Sequence, residues 1–212
     1  MKRLFLFLLL SAVAMPAVET SALPFDNSVI FSGTTVTALD SRGIDVTKNA
    51  IRISDTGNTT SPGNADYLPA FSYTHDVNFN PAASSINEAS LSVTYTGNQA
   101  NCIEAWFISN STNDPIRLGY LDDTQDGYRD KYATNSWTTT TFSLDAYIAG
   151  VSGASWSIEF LIDENTWNDN EVMYLAESLI FGDYNPTPVP EPASILLLGT
   201  GLIGFIRSRK KY

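Results

Sequence analysis

The sequence predicts an all-β domain, an antiparallel two-sheet β-sandwich of jelly-roll kind, flanked by an N-terminal signal helix and a short C-terminal hydrophobic helix. Three observations carry that reading. Between Leu23 and Asp183, short apolar runs alternate with polar residues at period two. Segments rich in Gly, Asn, Asp, Ser, Thr and Pro separate those runs. No long stretch of the region sustains the 3.6-residue apolar period of a helix.

In chain order, Val29-Ile30-Phe31 and Val36 open the series, and Ile51-Arg52-Ile53 and Phe71 to Val77 alternate. Leu91, Val93 and Tyr95 fall on one face of a strand, with Ser92 and Thr94 on the other. Ile103 to Ile108, Ile116 to Tyr120, Thr138 to Leu144, Trp156 to Ile162 and Val172 to Phe181 follow. Asp145 to Ala149 fits one helical turn. About nine strands in one domain suit a sandwich.

Both ends are of another kind. Lys2 and Arg3, the apolar Leu4 to Ala14, and the small residues Thr20-Ser21-Ala22 predict a signal peptide over 1–22, cut by signal peptidase. The domain then spans 23–184, a stiff Pro-rich linker 185–189, and a tail 190–212. Processing at both ends removes six basic residues but only Glu19 and Glu191. The domain keeps 6 basic and 21 acidic residues, a net charge of −15. Such a surface repels nucleic acid. It leaves calcium, cationic surfaces and neutral sugars as partners.

The tail reads Val189-Pro190-Glu191-Pro192-Ala193-Ser194, then the apolar Ile195 to Ile206, then Arg207-Ser208-Arg209-Lys210-Lys211-Tyr212. Pro190 and Pro192 hold Glu191 in extended backbone, a form that a protease can engage. The apolar segment is short for a membrane span of about 20 residues. The cations Arg207, Arg209, Lys210 and Lys211 would stay on the cytoplasmic side. This order resembles the PEP-CTERM sorting signal. The resemblance implies an exosortase as processing partner, transient anchoring in the inner membrane, and a final place at the cell surface or in extracellular polysaccharide. Gly199-Thr200-Gly201-Leu202-Ile203-Gly204 fits G-x-G-x-x-G, but only eight residues follow it, too few for a dinucleotide-binding unit.

Inside the domain, Asp122, Thr124, Asp126, Gly127 and Asp130 fall at positions 1, 3, 5, 6 and 9 of a calcium-loop pattern. Position 12 is Ala133, so the bidentate Glu of an EF-hand is missing. Structural calcium is therefore the one candidate cofactor, held by Asp122, Thr124, Asp126 and Asp130, against a plain acidic turn. Trp167 lies in a polar loop and is the tryptophan expected to stack on a sugar. Glu159 to Glu164 is similar to the E-x-D-x-x-E strand of retaining glucanases. Leu161 replaces the middle Asp, however, and an odd spacing puts Glu159 and Glu164 on opposite faces. Cys102, the single cysteine, sits in an apolar run and forms no internal disulfide. His75 reads as a hydrogen-bonded strand residue. Thr138 to Thr141 is too short for a flat threonine array.

Three functions follow. The first is an exported, non-catalytic surface or matrix protein with no catalytic residue. The second is a calcium-dependent glycan-binding module, and the third a glycoside-active enzyme.

Overall fold

The computed structural model describes residues 21–54, 71–98, 103–108, 115–122, 124, 136–164 and 172–188. Residues 22–186 form one compact unit. Among the described residues every regular element is a strand: β1 Leu23–Ile30, β2 Thr34–Leu39, β3 Asp45–Ser54, β4 Phe71–Thr96, β5 Ile103–Ile108, β6 Pro115–Tyr120, β7 Thr138–Ser143, β8 Gly153–Glu164 and β9 Val172–Pro186. Residues 1–20 of the expected signal peptide 1–22 and the tail from 189 lie outside the described residues, and so do both expected helices.

All strand pairs are antiparallel, and they join into one curled sheet in the order β2-β3-β9-β4-β8-β5-β6. β1 also pairs with β9, and β7 with β4. The sequence suggested two separate strands at Phe71–Val77 and Leu91–Tyr95. They are the two halves of β4, which runs 26 residues with a cis Asn80–Pro81 bond between them. The first half pairs with β8 and the second with β9 and β7. The intervening Asn, Ala and Ser residues are weak strand formers. They are held extended because Ala83 finds partners in both Gly153 and Pro186.

Through β4 the sheet curls on itself, so that Tyr73 meets Ser178 and Phe79 meets Tyr184 of β9 across one core lined with aromatic rings. Phe25 of β1 lies 5.4 Å from Phe79 and 6.4 Å from Trp156, and Phe31 lies 5.2 Å from Tyr73. Leu91, Val93, Tyr95, Ile158, Phe160, Leu175 and Ile180 are buried in the same core. Burying one such side chain contributes on the order of 1.5–3 kcal/mol. A smaller core of Val36, Ala38, Ala50, Trp137 and Ala176 sits under the β2–β3 hairpin. Trp137 is pinned there by its indole N–H, which donates to the Val46 carbonyl at 2.9 Å.

The period-two argument holds residue by residue. On β7, Thr139 and Thr141 are exposed and pair with Thr94 and Ser92 at 2.9 and 3.2 Å, while Thr140 between them is buried. β9 runs to Pro186, two residues past the expected end of the domain at 184, and its last turn of chain is clamped to β4. The Ser84 hydroxyl donates to the Asn185 carbonyl at 2.9 Å, and the Asn185 amide donates to Asn87 at 2.6 Å and Ser85 at 3.1 Å.

Candidate functional site

The calcium-pattern stretch begins at the end of β6. Asp122 is exposed, and its carboxylate accepts a hydrogen bond from the Thr140 hydroxyl at 2.8 Å. Its backbone N–H donates back to that hydroxyl at 3.1 Å. The Tyr95 hydroxyl donates to the Asp122 carbonyl at 3.0 Å. Buried Asn98 holds the same stretch from below, its amide donating to the Leu121 and Asp122 carbonyls at 2.9 Å each. Thr124 is buried, and both its N–H and its hydroxyl donate to the Asn98 carbonyl at 3.0 Å. Two of the four expected calcium ligands thus start from one preformed hub. Asp126 and Asp130 lie outside the described residues. Among the described residues no group of three His, Cys, Asp or Glu could hold a metal ion.

The aromatic candidates separate in the same way. Trp167 lies outside the described residues. Trp137 and Trp156 are core residues, and Trp106 is half-buried on the outward face of β5. Next to it, Arg117 of β6 bonds Glu104 at 2.7 Å and stacks 4.2 Å from the centre of the Tyr120 ring. Glu159 is in register with Thr74 and Ile108, and Glu164 with Ile103, a core residue.

A second polar cluster joins β1, β4 and β9 and was only half visible in the sequence. His75 is fully buried on β4. Its Nδ1 lies 2.8 Å from Asn27 Oδ1 on β1 and its Nε2 2.9 Å from Ser178 Oγ on β9. The Asn27 amide donates to the Asp76 carbonyl at 3.1 Å, which fixes its oxygen toward the ring. The neutral imidazole therefore carries its proton on Nδ1 and accepts from Ser178. The Tyr73 hydroxyl completes the chain 3.0 Å from Ser178 Oγ. Burial holds the His75 pKa down at about 4, against smaller opposing pulls from Asn27 and the Asp76 charge. Burial also drives the Tyr73 hydroxyl well above its ordinary value. Serine, histidine and asparagine in this order are the parts of a nucleophile relay. Here Ser178 and His75 have no exposed surface. The cluster fastens β1, β4 and β9 together.

Comparison with known proteins adds one specific finding at the C-terminus. The model of the PEP-CTERM protein-sorting motif matches residues 188–210, which include Pro190, Glu191, Pro192, Arg207, Arg209 and Lys210. Lys211 lies one residue beyond the match. Comparison with the curated proteins gives no match. Among solved structures, a serine protease of Aeromonas sobria is similar at TM-score 0.46 and 10% identity, over 84% of this chain. The chain spans only 29% of that protease. The C-terminal CBM6 of LamC, a laminarinase from Zobellia galactanivorans, is similar at TM-score 0.29 and 11% identity, over 76% of this chain and 98% of that one. A carbohydrate-binding module of Cellvibrio mixtus lichenase 5A gives TM-score 0.29 and 16% identity, over 78% and 97%. The tail carries the one specific identification: residues 188–210 are a PEP-CTERM protein-sorting motif, a signal that implies export to the cell envelope or surface.

Proposed function

We propose that the chain is a non-catalytic β-sandwich delivered to the cell surface or its polysaccharide matrix, held in the inner membrane by its tail until an exosortase cuts near Pro190-Glu191-Pro192. The motif at 188–210 is the observation that carries this reading. The pairing orders β1-β9-β4-β7 and β4-β8-β5-β6 support a jelly-roll body in which β4 serves both layers. Glu191→Ala should leave full-length protein in the inner membrane. Neutralising Arg207, Arg209, Lys210 and Lys211 should instead let uncut chain slip through, because nothing would stop translocation. The intact mass of the released protein decides. Released wild-type protein that still carries Ile195 to Tyr212 would end the processing reading.

A second reading is a calcium-dependent module for extracellular glycan, with Trp167 as the stacking residue. It is favoured by the hub of Tyr95, Asn98 and Thr140, which fixes the start of the acidic stretch before any ion arrives. A site of that kind stabilises the fold by mass action. Chelator should then lower the melting midpoint of calcium-loaded domain by several degrees, and Asp122→Asn should remove the difference. An unchanged midpoint in excess chelator rejects the site. A glycan array with and without calcium tests the ligand.

A further inference from the structure

The strand ends sort the charges of the domain. β3, β4, β6 and β8 all finish at one end, where the connections 55–70, 97–102, 121–137 and 165–171 leave the sheet. Those connections carry eight acidic and two basic residues. The other end is made by the start of β1 (21–25), the fold in β4 (78–87), the approach to β8 (148–155) and the end of β9 (184–188). Not one of these 28 residues is charged, where the chain's 17% average would place about five. The first charges behind this end are Asp26, Glu88, Asp145 and Asp183. The β5–β6 connection, with Asp114, opens here too, at the edge of the sheet away from β1.

The same end is where both membrane-directed segments join the body. Leu23 is in register with Tyr184, so the chain enters and leaves side by side. The exit is close-coupled. Asn185 is clamped to Ser84, Ser85 and Asn87, and Pro186 is buried. From there Pro186, Pro188, Pro190 and Pro192 occupy every second position. Prolines at that spacing predict a semi-rigid spacer from the sequence.

We propose that this uncharged end is a lipid-facing surface, turned to the bilayer while the tail is uncut. This rests on the tail being an anchor, as argued above, and adds the orientation of the body. The occupant is a lipid surface because the sorting motif begins at residue 188, two positions after β9 ends at this end of the sheet. An anionic leaflet repels acidic groups within a Debye length of about 8–10 Å, at on the order of 1 kcal/mol per charge. Turning the uncharged end inward keeps the strand ends from which the acidic connections leave the length of β9 away, about 45 Å at ~3.3 Å per residue. Turning the body over would bring them to the headgroups.

The test uses full-length chain with its tail, reconstituted in vesicles of phosphatidylethanolamine and phosphatidylglycerol. Single labels are placed at Ala154→Cys, at the uncharged end, and at Ser41→Cys, on the exposed β2–β3 turn, each with Cys102→Ser. A headgroup-attached quencher should act several-fold more strongly at position 154 than at 41. Adding Ala149→Glu and Asn78→Glu should narrow that difference and slow tail removal in a host with the exosortase. Glu at Ser41 and Thr37 should do neither. Chain that does not bind the vesicles at all would sink the anchor and the orientation together. Bound chain with equal quenching at both positions would overturn the orientation alone. Quenching at 154 that appears only when the exosortase is co-reconstituted would make the surface a protein contact and overturn the lipid assignment.

Discussion

Gly182→Ala is expected to destabilise the domain by about 3 kcal/mol or more, among the larger losses from adding one methyl group. Gly182 sits in β9 in register with Ala89, beside the irregularity between Ile86 and Glu88 in β4. A Cβ built there would overlap the Glu88 carbonyl oxygen and lie 2.9 Å from Ala89 Cα. Both atoms are backbone, so no rotamer change relieves the overlap. Either β4 and β9 separate, losing ladder hydrogen bonds in the middle of the sheet, or the core on both sides shifts. Gly43 is the control. It has φ +77°, but a Cβ there meets nothing within 4 Å. Gly43→Ala should therefore cost only the left-handed backbone penalty, about 1 kcal/mol. Urea midpoints measure both. Equal losses at the two positions would show that the close approach of β4 does not govern the effect.

Lowering the pH should weaken the fold through His75 well before most carboxylates protonate. The folded state holds His75 neutral, with a pKa of about 4, against 6.5 for an unperturbed histidine. Above pH 6.5 the ring is neutral in both states and contributes no pH dependence. Between 6.5 and 4 the unfolded chain binds the extra proton, so stability falls as pH falls. Across that window the loss reaches roughly 2–3 kcal/mol. A charged ring would also donate from both nitrogens, and Ser178, already bonded by Tyr73, would have to turn its own proton away from the ring. His75→Gln removes the titration. Its unfolding midpoint should be lower than wild type at pH 7.5, while its further decline from pH 6.5 to 4.5 should be shallower. Parallel declines in the two proteins would remove His75 as the cause.

The strands were legible because their signal is local. Leu91, Val93 and Tyr95 are fully buried, as alternation requires, and Ser92 and Thr94 pair across the outward face. What was not legible depends on partners far away in sequence. His75 read as a hydrogen-bonded strand residue, and it is one, but Asn27 and Ser178 lie 48 and 103 residues from it. The need for glycine at 182 comes from a carbonyl 94 positions away, and nothing in Phe181-Gly182-Asp183 announces it. The same holds for Asn98, whose amide steadies the start of the acidic stretch. The continuity of β4 was hidden because Asn80 to Ser85 lack strand-forming side chains and owe their extended form to neighbours on both edges. The tail was readable for the opposite reason: its order of prolines, apolar segment and cations is contiguous.

β9 is both the last strand in the chain and the one on which the sheet is built, with β1, β3 and β4 all paired to it. A chain threaded across a membrane from its N-terminus delivers that strand last. Until residues 172–186 emerge, β1 has no partner, β3 has only β2, and the second half of β4 has only β7. The strands β4, β8, β5 and β6 can pair before then, but the core closes only when β9 joins them. Completion of the sheet coincides with arrival of the sorting motif two residues further on. Once β9 is seated between its neighbours, drawing the chain back by its end would have to tear out the centre of the domain.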